Sequence, residues 1–218
     1  MGYPRDLQGL AKHIGQPQFP LELRRYLWAL QNPGIDQPPR LHANNCPAFD
    51  GKISVYHSGV ARYFAPSDIC GAGGMHIERV RSTPSWRNDY ERCDTVFVTV
   101  DEDECGMRGL EVARVLLFFS FDFDNTAHAC ALVHWFKEVT DPPHSATGMW
   151  MVKPQFSGEQ ATIQVISIDS IFCGAHLLPI YGRDALPEDF RFPDSLDAFR
   201  AYFVNHFVDH HAYEILQQ

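Results

Sequence analysis

Three glycines, one histidine and three arginines come close together in the first half of the sequence. Backbone amides of successive glycines form anion-binding nests, and arginine binds phosphate through paired hydrogen bonds. This combination predicts a contact with an anion or with nucleic acid. The candidate residues are Gly71, Gly73, Gly74, His76, Arg79, Arg81 and Arg87, with Arg92 adding charge nearby.

The same stretch also has a more ordinary interpretation. A phosphate-binding loop ends in Gly-Lys-Ser or Gly-Lys-Thr, and a dinucleotide-binding loop needs a third glycine three residues after its second. The sequence GAGGMHIERVR meets neither requirement. The alternative is a tight structural turn whose arginines form ion pairs with Glu78, Asp89 and Glu91.

Two histidines near the C-terminus, His206 and His210, are four residues apart, with Asp209 and His211 beside them. On a helix this spacing brings two imidazoles to one face, where they can share a metal ion. In the zinc proteases with this spacing a glutamate follows the first histidine, and here Phe207 stands in its place. We therefore predict no metal and no cofactor, and keep a metal-assisted hydrolase using His206 and His210 as the alternative function.

Two other groups of residues also raise the question of catalysis. Asp122 and Asp124 stand just before Asn125, which is typical of a hairpin turn, whereas a two-metal nuclease collects carboxylates from several elements. The six cysteines include no pair at the two-residue spacing of a zinc knuckle, so we expect reduced thiols. The sequence predicts no catalytic residue.

The composition limits the classes of function. The chain has 218 residues, 45% of them hydrophobic, which suits one main core. Its 18 basic and 27 acidic side chains give a net charge of −9, unlike the basic domains dedicated to nucleic acid. Any contact with nucleic acid must therefore be local. No apolar run approaches the roughly 20 residues that span a bilayer, so we expect a soluble intracellular protein without a membrane partner.

Leucines at helical spacing predict two short helices over residues 5–14 and 20–31. The stretch that follows, QNPGIDQPPRLHANNCP, is rich in proline and asparagine, which is typical of a linker. We expect a helical appendage and linker over residues 1–48 and a β-rich core domain over residues 49–218.

Runs of β-branched and aromatic residues predict a series of strands in the rest of the chain. The first run, over 52–64, should be broken or bulged near Gly59. The run over 110–121 is apolar on both alternating faces, so it should be a central strand. The remaining predicted strands cover residues 94–100, 130–136, 148–152 and 161–171.

The last stretch predicts a long amphipathic helix, capped by Asp194 or Ser195. Its apolar residues fall on a helical stripe, namely Leu196, Phe199, Phe203, Phe207 and Ile215. No helices alternate with the strands, so we predict an α+β fold: an antiparallel β-sheet or small barrel with two short N-terminal helices and this long C-terminal helix.

Over nearly its whole length the chain resembles the C-terminal region of Plavaka-type DDE transposases of mushroom-forming fungi, the Agaricomycetes. The ordered blocks that carry the resemblance are SVYHSGVARYFAPSDICGAGGMHIERVRSTPSWR, DTVFV, GMRGLEVARVLLFFSF, CALVHWF, TGMWMVKP, IDSIFCGAHLLPIYG and SLDAFRAYFVNHFVDHHAYE. In that family the catalytic core lies upstream of this region. The resemblance therefore implies an accessory domain without the cutting machinery, in a fungal and nuclear setting.

The succession DTVFV, VARV and VHWF is also similar to the β-body of bromo-adjacent-homology (BAH) domains, which implies a BAH-like sheet. Trp86, Trp135 and Trp150 could then supply an aromatic surface for a peptide, although packing in the core is the ordinary role of tryptophan. The function we expect is a non-catalytic accessory domain derived from a fungal transposon. It would contact DNA through the arginine loop, or a transposase or chromatin protein.

Overall fold

The computed structural model describes residues 2–35, 43–65, 72–87, 89–139, 141–182, 186 and 188–217. Within these residues, no helix has both the length and the apolar character needed to cross a membrane. The helices are α1 (Leu7–His13), α2 (Phe19–Gln31), α3 (Ser195–Ala198) and α4 (His210–Gln217). The strands are β1 (Ile53–Tyr56), β2 (Ser58–Phe64), β3 (Met75–Trp86), β4 (Tyr90–Cys93), β5 (Thr95–Thr99), β6 (Leu110–Phe123), β7 (Thr126–Glu138), β8 (Met151–Pro154), β9 (Phe156–Ser157), β10 (Gln160–Ala161), β11 (Ile163–Ser167), β12 (Ile171–Gly174), β13 (Leu177–Pro179) and β14 (Tyr202–Val204).

The largest element is a curled, half-barrel sheet of nine strands in the order β12–β5–β6–β7–β8–β14–β13, with β1 added to β6 and β11 added to β7. Its strand pairs are antiparallel, so the predicted α+β class with an antiparallel sheet is confirmed. The long hairpin β6–β7 closes through Asp124 and Asn125, whose φ angles of 50° and 60° are left-handed. Asp and Asn tolerate this conformation, as the turn prediction requires.

Strand β6 is the centre of the core, as its two apolar faces predict. Leu117 and Phe119 belong to one hydrophobic cluster, together with residues from α1 and α2. Val115 and Phe118 belong to a second cluster, which includes Val80 from β3. The sheet is therefore covered on both sides at this point, by the helices on one side and by a small sheet on the other.

The run predicted as one broken strand over residues 52–64 is two strands in two different sheets. The break lies at His57, two residues before the predicted Gly59. Strand β1 pairs with β6, whereas β2 begins a three-stranded sheet in the order β2–β3–β4. Gly59 matters for a different reason: an added Cβ would lie 3.3 Å from both Phe118 and Ile168, so the small sheet packs closely there.

Helices α1 and α2 lie at the positions that the leucine spacing predicts. Their buried residues form one cluster with the main sheet, and the ring of Phe19 meets that of Phe119 edge to face at 5.1 Å. Helix α2 also packs against β11. The division into 1–48 and 49–218 stays a prediction, but the first segment contributes directly to the core.

The prediction of one long C-terminal helix is wrong. The chain forms α3, turns extended at Phe199, enters the main sheet as β14 between β8 and β13, and only later forms α4. Tyr202 and Val204 are fully buried in that sheet, while Phe207 from the predicted stripe is 62% exposed. An aromatic and a β-branched residue at spacing two gain more by completing the sheet than by following the helical stripe.

The packing of α2 predicts how its residues contribute to stability. Phe19→Ala should lower the free energy of unfolding by about 3–5 kcal/mol, because it leaves a cavity between α2 and β6. Leu30→Ala on the same helix is the control, since Leu30 is 40% exposed and should change stability by only about 0.5 kcal/mol. Urea denaturation of both variants measures the difference. Equal effects would show that α2 is not part of the core.

Candidate nucleic-acid interface

Strand β3 divides the predicted site residues between its two faces, because side chains alternate along a strand. Arg79 and Arg81 lie on the outward face. His76 lies on the other, where its ring is 4.7 Å from that of His211 and 5.3 Å from that of Tyr63. Arg79 and Arg81 are therefore neighbours, and His76 does not belong with them.

Trp86 lies at the centre of the arginine group. The guanidinium carbon of Arg81 is 4.5 Å from the centroid of the indole, that of Arg92 is 5.0 Å away and that of Arg87 is 5.7 Å away. The positions in sequence would place Arg81 and Trp86 on opposite faces, but the pairing of β3 with β4 shifts between Thr83 and Trp86. This irregularity brings the indole to the arginines, which it attracts through its π-face.

Arg92 comes from β4, and it is held by Asp94. Its Nε donates a hydrogen bond to Oδ1 of Asp94 at 2.6 Å, and the backbone amide of Arg81 donates to Oδ2 at 2.9 Å. One carboxylate thus fixes both strands at the site. We call Arg79, Arg81, Arg87, Arg92 and Trp86 the arginine–tryptophan cluster.

Among the described residues, the ion pairs with Glu78, Asp89 and Glu91 that the alternative interpretation predicts are not formed. In the part of the chain that the structure describes, no salt bridge joins Arg79, Arg81 or Arg87 to a carboxylate. Glu78 instead accepts a hydrogen bond from the backbone amide of Gly174 at 2.8 Å. The Nη1 of Arg79 donates to the hydroxyl of Ser58 at 3.1 Å. The guanidinium groups of Arg79, Arg81 and Arg87 therefore have no carboxylate partner among the described residues.

A cleft of about 590 Å³ runs beside the cluster, between β3, β4 and the chain from Gly174 to Leu177. Arg79, Arg81, Arg92 and Arg114 line it. Arg114, which projects from β6, donates from Nη1 to Asp197 at 2.6 Å, and its buried Nε has no hydrogen-bond partner within the described residues. The cleft also contains Cys93, but burial raises the pKa of this thiol to about 12, so it stays protonated and is a poor nucleophile.

Arg114 is the cleft residue that the sequence did not reveal. It lies on a central strand, and only the folded sheet brings it to the arginines of β3 and β4. The one available signal was a cation inside an otherwise apolar run. Because a buried charge needs a partner, the position of Arg114 predicts a polar contact, but it does not identify the partner residue.

The glycines lie at the other end of β3 from the arginines. Gly73 and Gly74 have φ angles of 66° and 76° and form the turn that precedes the strand, and Gly71 lies outside the described residues. At about 3.3 Å per residue, Arg81 is about 23 Å along the strand from Gly74. Gly73 and Gly74 reverse the chain, and they do not form one anion site with the arginines.

The three tryptophans have different surroundings. Trp135 is buried and donates its indole N–H to Gln164 at 2.8 Å, and it packs with the cluster around Val133. Trp150 packs against another cluster, around Tyr202. The structure thus places Trp86 alone of these three beside the arginines. A peptide site made by Trp86, Trp135 and Trp150 stays a prediction, and the surroundings of these three side chains give them no surface in common.

His206 and His210 do not share a helix. His206 follows β14 and is only 2% exposed, against the ring of Phe207, whereas His210 begins α4. Among the described residues there is no group of three or more His, Cys, Asp or Glu side chains arranged to hold a metal ion. The helical spacing on which the predicted imidazole pair rested is therefore wrong.

No protein-family model matches the chain, and searches of the curated proteins and of the solved structures return no match.

The burial of His206 predicts a pH dependence of stability. Desolvation lowers the pKa of this imidazole in the folded protein, so below its ordinary value near 6.5 the unfolded chain binds a proton that the folded chain does not. The contribution of His206 is thus complete above about pH 6.5 and is lost as the pH falls. Glu22, Glu111 and Glu138 act in the opposite direction, because burial raises their pKa values.

A variant separates these effects. The melting temperature of His206→Gln should lie below that of the wild type at pH 7.5, and the gap should narrow toward pH 5. His210→Gln is the control, because it removes an imidazole from an exposed position in the same segment. A gap that widens on acidification would show that His206 is protonated in the fold.

Proposed function

We propose that this chain is a non-catalytic accessory domain that binds the nucleic-acid backbone through the arginine–tryptophan cluster. The observation that carries the proposal is that three guanidinium groups surround the indole of Trp86. Two of them, those of Arg81 and Arg87, have no carboxylate partner in the described residues. Phosphate is the group that such donors bind best. Arg79 extends the charge along β3.

The overall charge determines what kind of binding this is. With a net charge of −9 the chain repels DNA at distances beyond the local cluster. Binding should therefore be weak, short-ranged and sensitive to salt, as expected of a domain that assists another DNA-binding protein. Such behaviour is consistent with the resemblance to the C-terminal region of Plavaka-type transposases, and with action in the nucleus beside a transposase or chromatin protein.

Two finer predictions belong to the same proposal. A BAH-like arrangement of the half-barrel would suit a chromatin partner, and the cleft beside Trp86 would be the contact for it. The alternative of a metal-assisted hydrolase built on His206 and His210 gains no support from their positions, since one is buried after β14 and the other begins α4.

The proposal predicts a specific change in the salt dependence of binding. The triple variant Arg79→Ala, Arg81→Ala and Arg87→Ala should have a weaker salt dependence of binding. The slope of log association constant against log salt concentration should become less negative by about 2–3, because each lost phosphate contact removes about 0.7–0.9. Fluorescence anisotropy with labelled single-stranded and duplex oligonucleotides at several salt concentrations measures the slope.

The control is the variant Lys12→Ala, Lys52→Ala and Lys153→Ala, which removes the same charge from exposed positions elsewhere. It should leave the slope within about 0.5 of the wild type. Melting temperatures of both variants show whether they are folded. Equal slopes for the two triple variants, or no binding by the wild type at low salt, would disprove a nucleic-acid site at the cluster.

A further inference from the structure

The outward face of the β2–β3 ribbon exposes large apolar side chains. Val60 and Phe64 on β2 are 49% and 62% exposed, and Met75 and Ile77 on β3 are 42% and 61% exposed. Phe64 stands opposite Met75 in the pairing of the two strands, and Arg62 stands opposite Ile77. We call these five residues the ribbon face.

The opposite side of the ribbon is fixed to the protein body. Tyr63 and Val80 are buried in clusters with residues of the main sheet, and Ala61 is buried on the same side of the ribbon. The ribbon therefore cannot turn its apolar side inward without losing this packing. A contiguous exposed apolar surface on a sheet that is already packed marks a site of association.

The two ends of the ribbon face carry opposite charge. Arg79 and Arg81 follow Ile77 along β3 at one end. At the other end Phe64 lines a cleft of about 630 Å³ together with Asp101, Glu102 and Glu104. All three acidic residues are exposed. Arginines at one end and acidic side chains beside Phe64 at the other thus flank a mainly apolar centre, which also contains Arg62 opposite Ile77.

We propose that the ribbon face joins two copies of this chain about a twofold axis near Ile77. A twofold axis brings one end of the face in each copy against the other end of the face in its partner. The arginine end of each copy therefore meets the acidic end of the other, and the dimer contains two such contacts. Along β3, Arg79 and Arg81 lie about 7 and 13 Å from Ile77. Met75 lies about 7 Å from it in the other direction, opposite Phe64, which lines the acidic cleft. The arginines and the acidic cleft therefore lie on opposite sides of the proposed axis.

A second copy fits this surface better than nucleic acid does. The centre of the ribbon face is mainly aliphatic, with no stacked aromatic platform for bases, and its acidic end repels phosphate. The same surface carries both the positive and the negative groups that a contact between two copies would pair. The inference goes beyond the proposed nucleic-acid site, which centres on Trp86, although Arg79 and Arg81 belong to both surfaces.

Sedimentation velocity over a concentration series tests the association. We expect a reversible monomer–dimer equilibrium that high salt weakens, because pairs of exposed charges form both ends of the contact. Ile77→Asp should give a monomer at every concentration without a fall in melting temperature, since the side chain is exposed. Leu178→Asp is the control, because Leu178 is 43% exposed on β13 and should leave the equilibrium unchanged.

Charge exchange gives the sharper test. One variant carries Arg79→Glu and Arg81→Glu, and the other carries Glu102→Lys and Glu104→Lys. Each alone should be monomeric, because like charges meet at both ends of its homodimer. An equimolar mixture should form a heterodimer, since both ends are then complementary.

Three results would overturn the proposal: a wild type that stays monomeric at all concentrations, a dimer that survives Ile77→Asp, or variants that fail to associate when mixed. Failure here is distinct from failure of the nucleic-acid proposal, because sedimentation measures self-association without oligonucleotide and anisotropy measures oligonucleotide binding separately. A monomeric wild type that still binds oligonucleotides through the arginine–tryptophan cluster would assign the exposed surface to nucleic acid or to another partner.

Discussion

Strands β6 and β7 are apolar on both faces, so other parts of the chain must pack against each of the two faces. On one side α1 and α2 cover Phe119 and Leu132. On the other side Val80 of the small sheet covers Phe118 and Val133. Since buried area is the main favourable term in folding, the rest of the chain is arranged around these two coverings.

The packing of the small sheet on the main sheet explains why the candidate surface is exposed. A helix that covers a sheet buries one stripe and exposes a polar one, but a three-stranded sheet covering another sheet exposes a whole face. On β3 that face presents alternate residues to solvent, and these include Arg79 and Arg81. Packing of Val80 therefore fixes the direction in which its two arginine neighbours point. The core and the candidate site are two sides of one strand.

Local pattern predicted the parts of the fold whose neighbours are close in sequence. The turn at Asp124 and Asn125 and the doubly apolar β6 were readable, since turn chemistry and alternation are local. The C-terminal segment was not, because Tyr202 and Val204 are buried by strands more than twenty residues away. A helical stripe and a strand alternation overlapped there, and tertiary packing selected the strand.

The same distinction holds at the candidate site. The sequence predicted Arg79 and Arg81 as parts of one site, and their spacing of two residues on a strand does bring them to one face. The same alternation places His76 on the opposite face, away from the arginines. Arg114 reaches the cleft from β6, a contact that no local pattern specifies.

Like charges collect at Trp86 although the protein as a whole is acidic. Three guanidinium groups beside one indole repel one another, and of the carboxylates in the described residues only Asp94 forms a salt bridge with one of them. The π-face of Trp86 and the hydrogen bonds of Asp94 offset part of that repulsion. An anion placed among the arginines would offset more of it, because its charge is opposite and its oxygens accept their free hydrogens. The unbalanced charge at Trp86 is thus the local reason for proposing a phosphate ligand on a chain whose net charge is −9.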